Sequence, residues 1–434
     1  MTITRDPATG LVTATDLGVI HETRTYDAYG AEQHYTVTAN GATLYDVDYG
    51  TRDPLGRIVQ KTETVQGTTH VYGYNYDVSG RLADVITDGS ATSHYEYDAN
   101  GNRLVGPGLT ASPAYDNQDR LLSYGDCTYA YKNDGSLQTK TCPSGTTTYD
   151  YDAFGNLRGV TLPSGTAITY LIDGQNRRVG KKINGALVES FVYEDDLKRV
   201  GWYDGTGALK AQFVFGNSGS TPDLMTIAGV AYRLVVDETG SIRVVVASNG
   251  TIAQSVSYDE FGQVTLDTSP GFQPFGFAGG LRDQDSSLTR FGSRDYAPAE
   301  GRWTTRDPLR ISVGNTSAYS YADDDPVNRA DPSGRETSGY GDQCVEPEFG
   351  CPQSFTDYCG KGVTCRIKYC GHGACPHCPQ GANSVIVQSW CSYECDNGGA
   401  AFGYKVFFKN IWVGPFCIDP TPKSCQSPPP MVER

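Results

Sequence analysis

The sequence predicts an all-β protein: stacked β-hairpin repeats forming part of a shell, followed by a small cysteine-rich module. Composition and an internal repeat carry this expectation. Among 434 residues there are 29 tyrosines and 51 glycines but 3 methionines. That balance favours aromatic strands and turns over the straight-chain apolar residues of helical bundles. The repeat is a strand ending in Tyr, usually an Asp, two variable residues, a Gly, and a second strand.

Read in order, the unit is "YDAYG" at 26–30, a degenerate "RDPLG" at 52–56, "YDVSG" at 76–80, "YDANG" at 97–101, "YKNDG" at 131–135, "YDAFG" at 151–155, "YDGTG" at 203–207, a degenerate "VDETG" at 236–240 and "YDEFG" at 258–262. The better-kept glycines recur at roughly 16 to 26 residues, the length of one hairpin. The Gly supplies the positive φ that a tight hairpin needs, and the Asp can bond its own turn. Flanking runs such as "HVYGYNYD" alternate large aromatics with small or polar residues, the period of a half-buried strand. Stacked hairpins cover one another's edges.

Cys127 and Cys142 lie equidistant from Asp134-Gly135. A two-residue turn there would face them as a hydrogen-bonded pair, with Cα atoms roughly 5.5 Å apart. That spacing is compatible with a disulfide; two free thiols are the preferred expectation.

Between Ser293 and Arg310 runs "SRDYAPAEGRWTTRDPLR", with Arg294-Asp295 and Arg306-Asp307 twelve residues apart. Two close carboxylates cannot both ionise easily, so such a pair can share acid and base roles, with an Arg to hold one charged form or an oxyanion. "DYAPAEGR" reads as a hairpin connection that would set its flanking strands side by side.

Over about residues 20–335 these motifs resemble the YD repeats of Rhs (rearrangement hotspot) proteins, and "RFGSRDYAPAEGRWTTRDPLR" with "NTSAYSYADDDPVNRADPSGR" is similar to the Rhs-associated core. The resemblance implies a hollow β-shell around a variable C-terminal segment, often a toxin. It also implies an aspartyl-protease-like self-cleavage site, shared with the C-components of insecticidal toxin complexes. Arg294, Asp295 and Asp307 fall on that site, with Arg294 orienting one carboxylate. Cleavage follows a segment PxxxxDPxGL, which Pro326, Asp331, Pro332 and Gly334 match, placing the cut at Arg335–Glu336. Arg335 departs from the family's Leu. A Leu would fill an apolar pocket, where an unpartnered Arg is costly. The opposing reading keeps the motif as structure, with Arg294 and Arg302 paired to shell carboxylates.

Composition changes after Arg335: eleven of the thirteen cysteines lie beyond it, and the repeat disappears. This sets the expected domains: YD repeats over 1–255, a core over 256–335 and a variable cysteine-rich domain over 336–434. The tail supports a disulfide framework of odd cysteine count. It also supports a zinc site from Cys375, Cys378, Cys391 and Cys395, with Cys370, His372 and His377 as alternatives. The "CPHC" at 375–378 lacks the following helix that a thiol oxidant uses. "VIVQSW" and "YKVFFKNIWVGPF" read as strands. The tail shows no recognisable toxin active site, so enzymatic activity is confined to self-cleavage.

The formal charge of −15 argues against nucleic-acid binding by the shell. The chain has neither an 18-residue apolar run nor a signal peptide at its start. The expected function is therefore an Rhs-type toxin fragment, secreted or at the cell surface. Its own C-terminal domain is the cargo, with an immunity protein as partner; the shell requires no cofactor, and zinc is confined to the tail. The alternative is a non-enzymatic extracellular YD-repeat binding protein with a disulfide-stapled tail.

Overall fold

The computed structural model describes residues 1–216, 219–307 and 317–335 with their side chains. Beyond these it describes the backbone of Ser338–Gly339, Ser354–Thr356, Thr364–Ala374, Val387–Asn397, Ala400–Phe408 and Pro415–Ile418. The fold is all-β, and the chain divides into two compact units: Met1–Asp6 with Leu11–Ser338, and Pro7–Gly10 with Gly339–Arg434.

The first unit is an antiparallel meander in which sequence neighbours pair. A nine-stranded sheet runs from Thr2–Arg5 to Ser90–His94, and a sixteen-stranded sheet from Ala114–Tyr115 to Val264–Asp267. The sheet continues through residue 255, because the strand Ile252–Tyr258 pairs on both sides. A four-stranded sheet of Leu281–Asp283, Leu288–Phe291, Arg294–Ala297 and Arg302–Trp303 follows.

The repeat's turn chemistry is clear at 77–81. Gly80 N donates to Asp77 O at 3.0 Å, and Asp77 Oδ1 accepts from Ser79 N (2.9 Å) and Arg81 N (3.0 Å). Arg81 Nε returns to Asp77 Oδ2 at 2.7 Å. The same return is made by Arg57 to Asp53, Arg120 to Asp116 and Arg177 to Asp173. In the last two turns Asp119 and Asn176 stand in the glycine's place at φ 59° and 63°. In several repeats the Tyr ties its turn to the preceding one: Tyr76 donates to Ile58 O at 2.6 Å and Tyr193 to Arg178 O at 2.7 Å.

The core is shared between sheets. Tyr35, Val37, Tyr45, Val47, Leu82 and Val85 of the first sheet pack with Val235, Val244 and Val246 of the second. Buried ion pairs cross the same boundary: Arg233 with Glu22, Arg243 with Glu63 at 2.7 Å, and Lys61 with Glu238 at 3.0 Å.

Cys127 and Cys142 form a disulfide with Cα atoms 4.2 Å apart, where two free thiols were expected. The connection is longer than a two-residue turn: Tyr131 pairs with Leu137, and a bulge restores the register that reaches the cysteines. Their Cα separation is close to that of a non-hydrogen-bonded pair rather than the hydrogen-bonded one expected.

In the second unit five strands form a sequential sheet. Its register sets Cys365 opposite Cys395 and Cys370 opposite Cys391.

Candidate functional site

The site residues expected from sequence lie on the four-stranded sheet and on the segment 331–335. "DYAPAEGR" does connect neighbouring strands, with Tyr296 opposite Trp303 and Ala297 opposite Arg302. The two aspartates of the expected dyad are held by different arginines. Asp295, 1% exposed, takes Arg178 Nη2 on Oδ1 at 2.8 Å and Arg290 Nη1 on Oδ2 at 2.9 Å. Arg290 is fixed in turn by Asn156 Oδ1 at 2.9 Å. A carboxylate bound on both oxygens by buried guanidinium groups has no oxygen turned towards the 331–335 segment, which suits a structural anchor.

Asp307 is the more accessible carboxylate, its side chain 22% exposed, and it pairs with Arg294 Nη2 at 3.0 Å. The same nitrogen reaches Asp331 Oδ2 at 3.0 Å. Arg294 therefore bridges Asp307 and Asp331, while its guanidinium lies 4.1 Å over the Trp303 ring. Burial pushes the Asp331 carboxyl above the ordinary range, against the pull of Arg294. Sequence reasoning treated Asp331 as part of a recognition motif; its second role becomes visible only when the fold brings it to Arg294.

Residues 331–335 form a turn of the repeat type. Gly334 N donates to Asp331 O at 3.2 Å, and Arg335 N to Asp331 Oδ1 at 3.0 Å. The sequence "DPSGR" matches "DPLGR" at 53–57, which folds the same way. They differ at the second carboxylate oxygen: Arg57 returns to its own aspartate, whereas at Asp331 that oxygen is taken by Arg294. The Arg335 residue is exposed, so no apolar pocket of the described residues surrounds it and the burial penalty does not arise among them. Pro326 is buried, Pro332 is half-buried, and Glu336 lies outside the described residues.

Backbone approach makes glycine necessary on both sides of this contact. A Cβ on Gly292 would sit 2.2 Å from Ser333 O, and one on Gly334 would sit 2.4 Å from Phe291 O. Ser293 Oγ, which the sequence did not single out, lies 3.0 Å from Gly334 O, and Arg294 Nε lies 2.5 Å from the same oxygen. Arg302 differs from the structural expectation. Its Nη2 donates to Asp119 O at 2.5 Å, and its guanidinium lies about 5 Å from the Tyr115 and Tyr319 ring centres.

Of the expected zinc ligands, Cys391 and Cys395 lie four residues apart on the strand Val387–Asn397. Cys375 and Cys378 lie outside the described residues.

A meander of Tyr-Asp turns, closed by a buried Arg-Asp sheet, defines a YD-repeat shell. Residues 1–327 match the family described as Teneurin YD-shell, and the chain belongs to that family. It is 28% identical to human teneurin-4 over 330 residues, covering 72% of this chain and 12% of the relative. To zebrafish (Danio rerio) teneurin-3 it is 30% identical over 328 residues, with the same shares of 72% and 12%. Among solved structures it is similar to TcdB2-TccC3 without the hypervariable C-terminal region. The TM-score is 0.43 at 16% identity, covering 75% of this chain and 21% of that one. The chain thus spans about one eighth of the length of these curated relatives.

Proposed function

We propose that this chain is the closing part of a YD-repeat shell of the Rhs toxin type, which encloses its cysteine-rich C-terminal segment and releases it by self-cleavage. The observation that carries the reading is the junction itself: Ser293 and Arg294 hold the backbone of 331–335, and two carboxylates converge on one buried arginine. The motif puts the cut at Arg335–Glu336. Asp307, accessible and paired, acts as the base; Asp295 anchors the sheet. The shell works without a cofactor and outside the producing cell, and its partners are the tail as cargo and an immunity protein.

The test is the intact mass of the purified full-length chain beside Asp307→Asn and Asp295→Asn. Two fragments meeting near residue 335 are expected for the wild type, and an uncut chain for Asp307→Asn. Asp295→Asn should lose stability by about 3–5 kcal/mol, since Arg178 and Arg290 would share an uncharged partner. A single uncut species in the wild type refutes self-cleavage. That result would favour the second reading, an extracellular or cell-surface binding protein with an attached, disulfide-stapled tail, to which the likeness to teneurins lends support.

A further inference from the structure

The junction holds one peptide bond differently from its neighbours. In the matching turn at 53–57, Gly56 O accepts a single hydrogen bond from Arg52 Nη1, at 3.0 Å. Gly334 O accepts from a cationic donor, Arg294 Nε at 2.5 Å, and a neutral one, Ser293 Oγ at 3.0 Å. On the other side of the bond, Arg335 N donates to Asp331 Oδ1 at 3.0 Å. Gly334 is buried, and the close approach of its backbone to Phe291 O and Arg294 N fixes the carbonyl against these donors. Arg294 Nη1 is buried and has no hydrogen-bond partner among the described residues.

Resting on the self-cleavage reading, we infer that the bond that reacts is Gly334–Arg335, one before the motif's position, and that Ser293 and Arg294 form its oxyanion site. Donors already placed on a carbonyl stabilise the charge that grows there as the carbon becomes tetrahedral. Water attacks the Gly334 carbonyl carbon and gives a proton to Asp307. The C–N bond breaks, and the Arg335 nitrogen, 3.0 Å from Asp331 Oδ1, leaves as an amine with a proton from that carboxyl, which burial shifts towards its protonated form. The products are a Gly334 carboxylate and a new amino terminus at Arg335. No other reactant is consumed.

The full-length chain is followed by intact mass and by N-terminal sequencing of the released fragment. A fragment beginning at Arg335 is expected. Ser293→Ala should slow its appearance about 100-fold, the typical cost of one oxyanion donor. Ser293→Thr, which keeps the hydroxyl, should restore the rate, with both variants melting like the wild type. Asp331→Asn retains an oxygen to accept from Arg335 N but no acidic proton, and should leave the chain uncut. A fragment beginning at Glu336, or Ser293→Ala cutting at the wild-type rate, overturns the inference and leaves self-cleavage standing. An uncut wild type overturns both.

Discussion

Asp324 illustrates how burial sets the behaviour of single side chains in this fold. It sits in a left-handed turn, φ 59°, with Ala322 and Asp323 at 52° and 53° before it. Burial pushes its carboxyl up to about 7, only partly offset by Arg103 and Arg81. Glu32, buried beside Arg24, is likewise raised to about 7. In both, the neutral form is favoured in the folded state. Their contribution is therefore complete below the ordinary carboxylate range and is lost as pH rises through about 7. Melting temperatures between pH 4 and 8 should show Asp324→Asn with a flatter decline towards alkaline pH than the wild type. An unchanged slope would remove Asp324 from the account. None of this is legible in the sequence, because the arginines beside Asp324, Arg103 and Arg81, lie more than two hundred positions away.

The turns are the most legible elements, and their failures are instructive. Wherever Tyr, Asp and Gly recur together, the expected hairpin forms with the aspartate as acceptor. The turns at 116–120 and 173–177 escaped notice because Asp119 and Asn176 replace the glycine. The surviving signal was the Arg after that position, which both share with 53–57 and 77–81. Asp and Asn tolerate left-handed backbone better than other residues with a Cβ, which makes the replacement affordable. Asp77→Ala should cost about 1–2 kcal/mol in chemical denaturation, because two backbone donors and the Arg81 guanidinium lose their acceptor. A change below a few tenths would show that Gly80 alone sets the turn. The candidate dyad was legible as residues but not as pairings. Spacing puts Asp295 and Asp307 near one hairpin, but whether an arginine claims one or both depends on Arg178 and Arg290, which no local pattern connects to them.

Across the whole first unit, the two large sheets are joined by hydrophobic packing and by three buried ion pairs. All-β architecture follows from composition and repeat; the partners across the boundary do not, because residues such as Glu63 and Arg243 are separated by 180 positions. Arg243→Met should lower the unfolding free energy by about 3–5 kcal/mol, since Glu63 would remain buried without its cation. Equilibrium denaturation followed by tryptophan fluorescence and by far-ultraviolet circular dichroism would measure it. Loss of coincidence between the two probes would show that the pair also couples the sheets into one cooperative unit.

The turn at 331–335 has a bearing on how such chains can diversify. Arg335 contributes its backbone N–H to Asp331, and its side chain is exposed. That turn therefore asks nothing of residue 335 beyond an amide hydrogen, a condition met by every amino acid except proline. A change of sequence from residue 335 onward would therefore leave the turn's own hydrogen bonds intact, and Gly334 marks where the geometric demands of the turn stop.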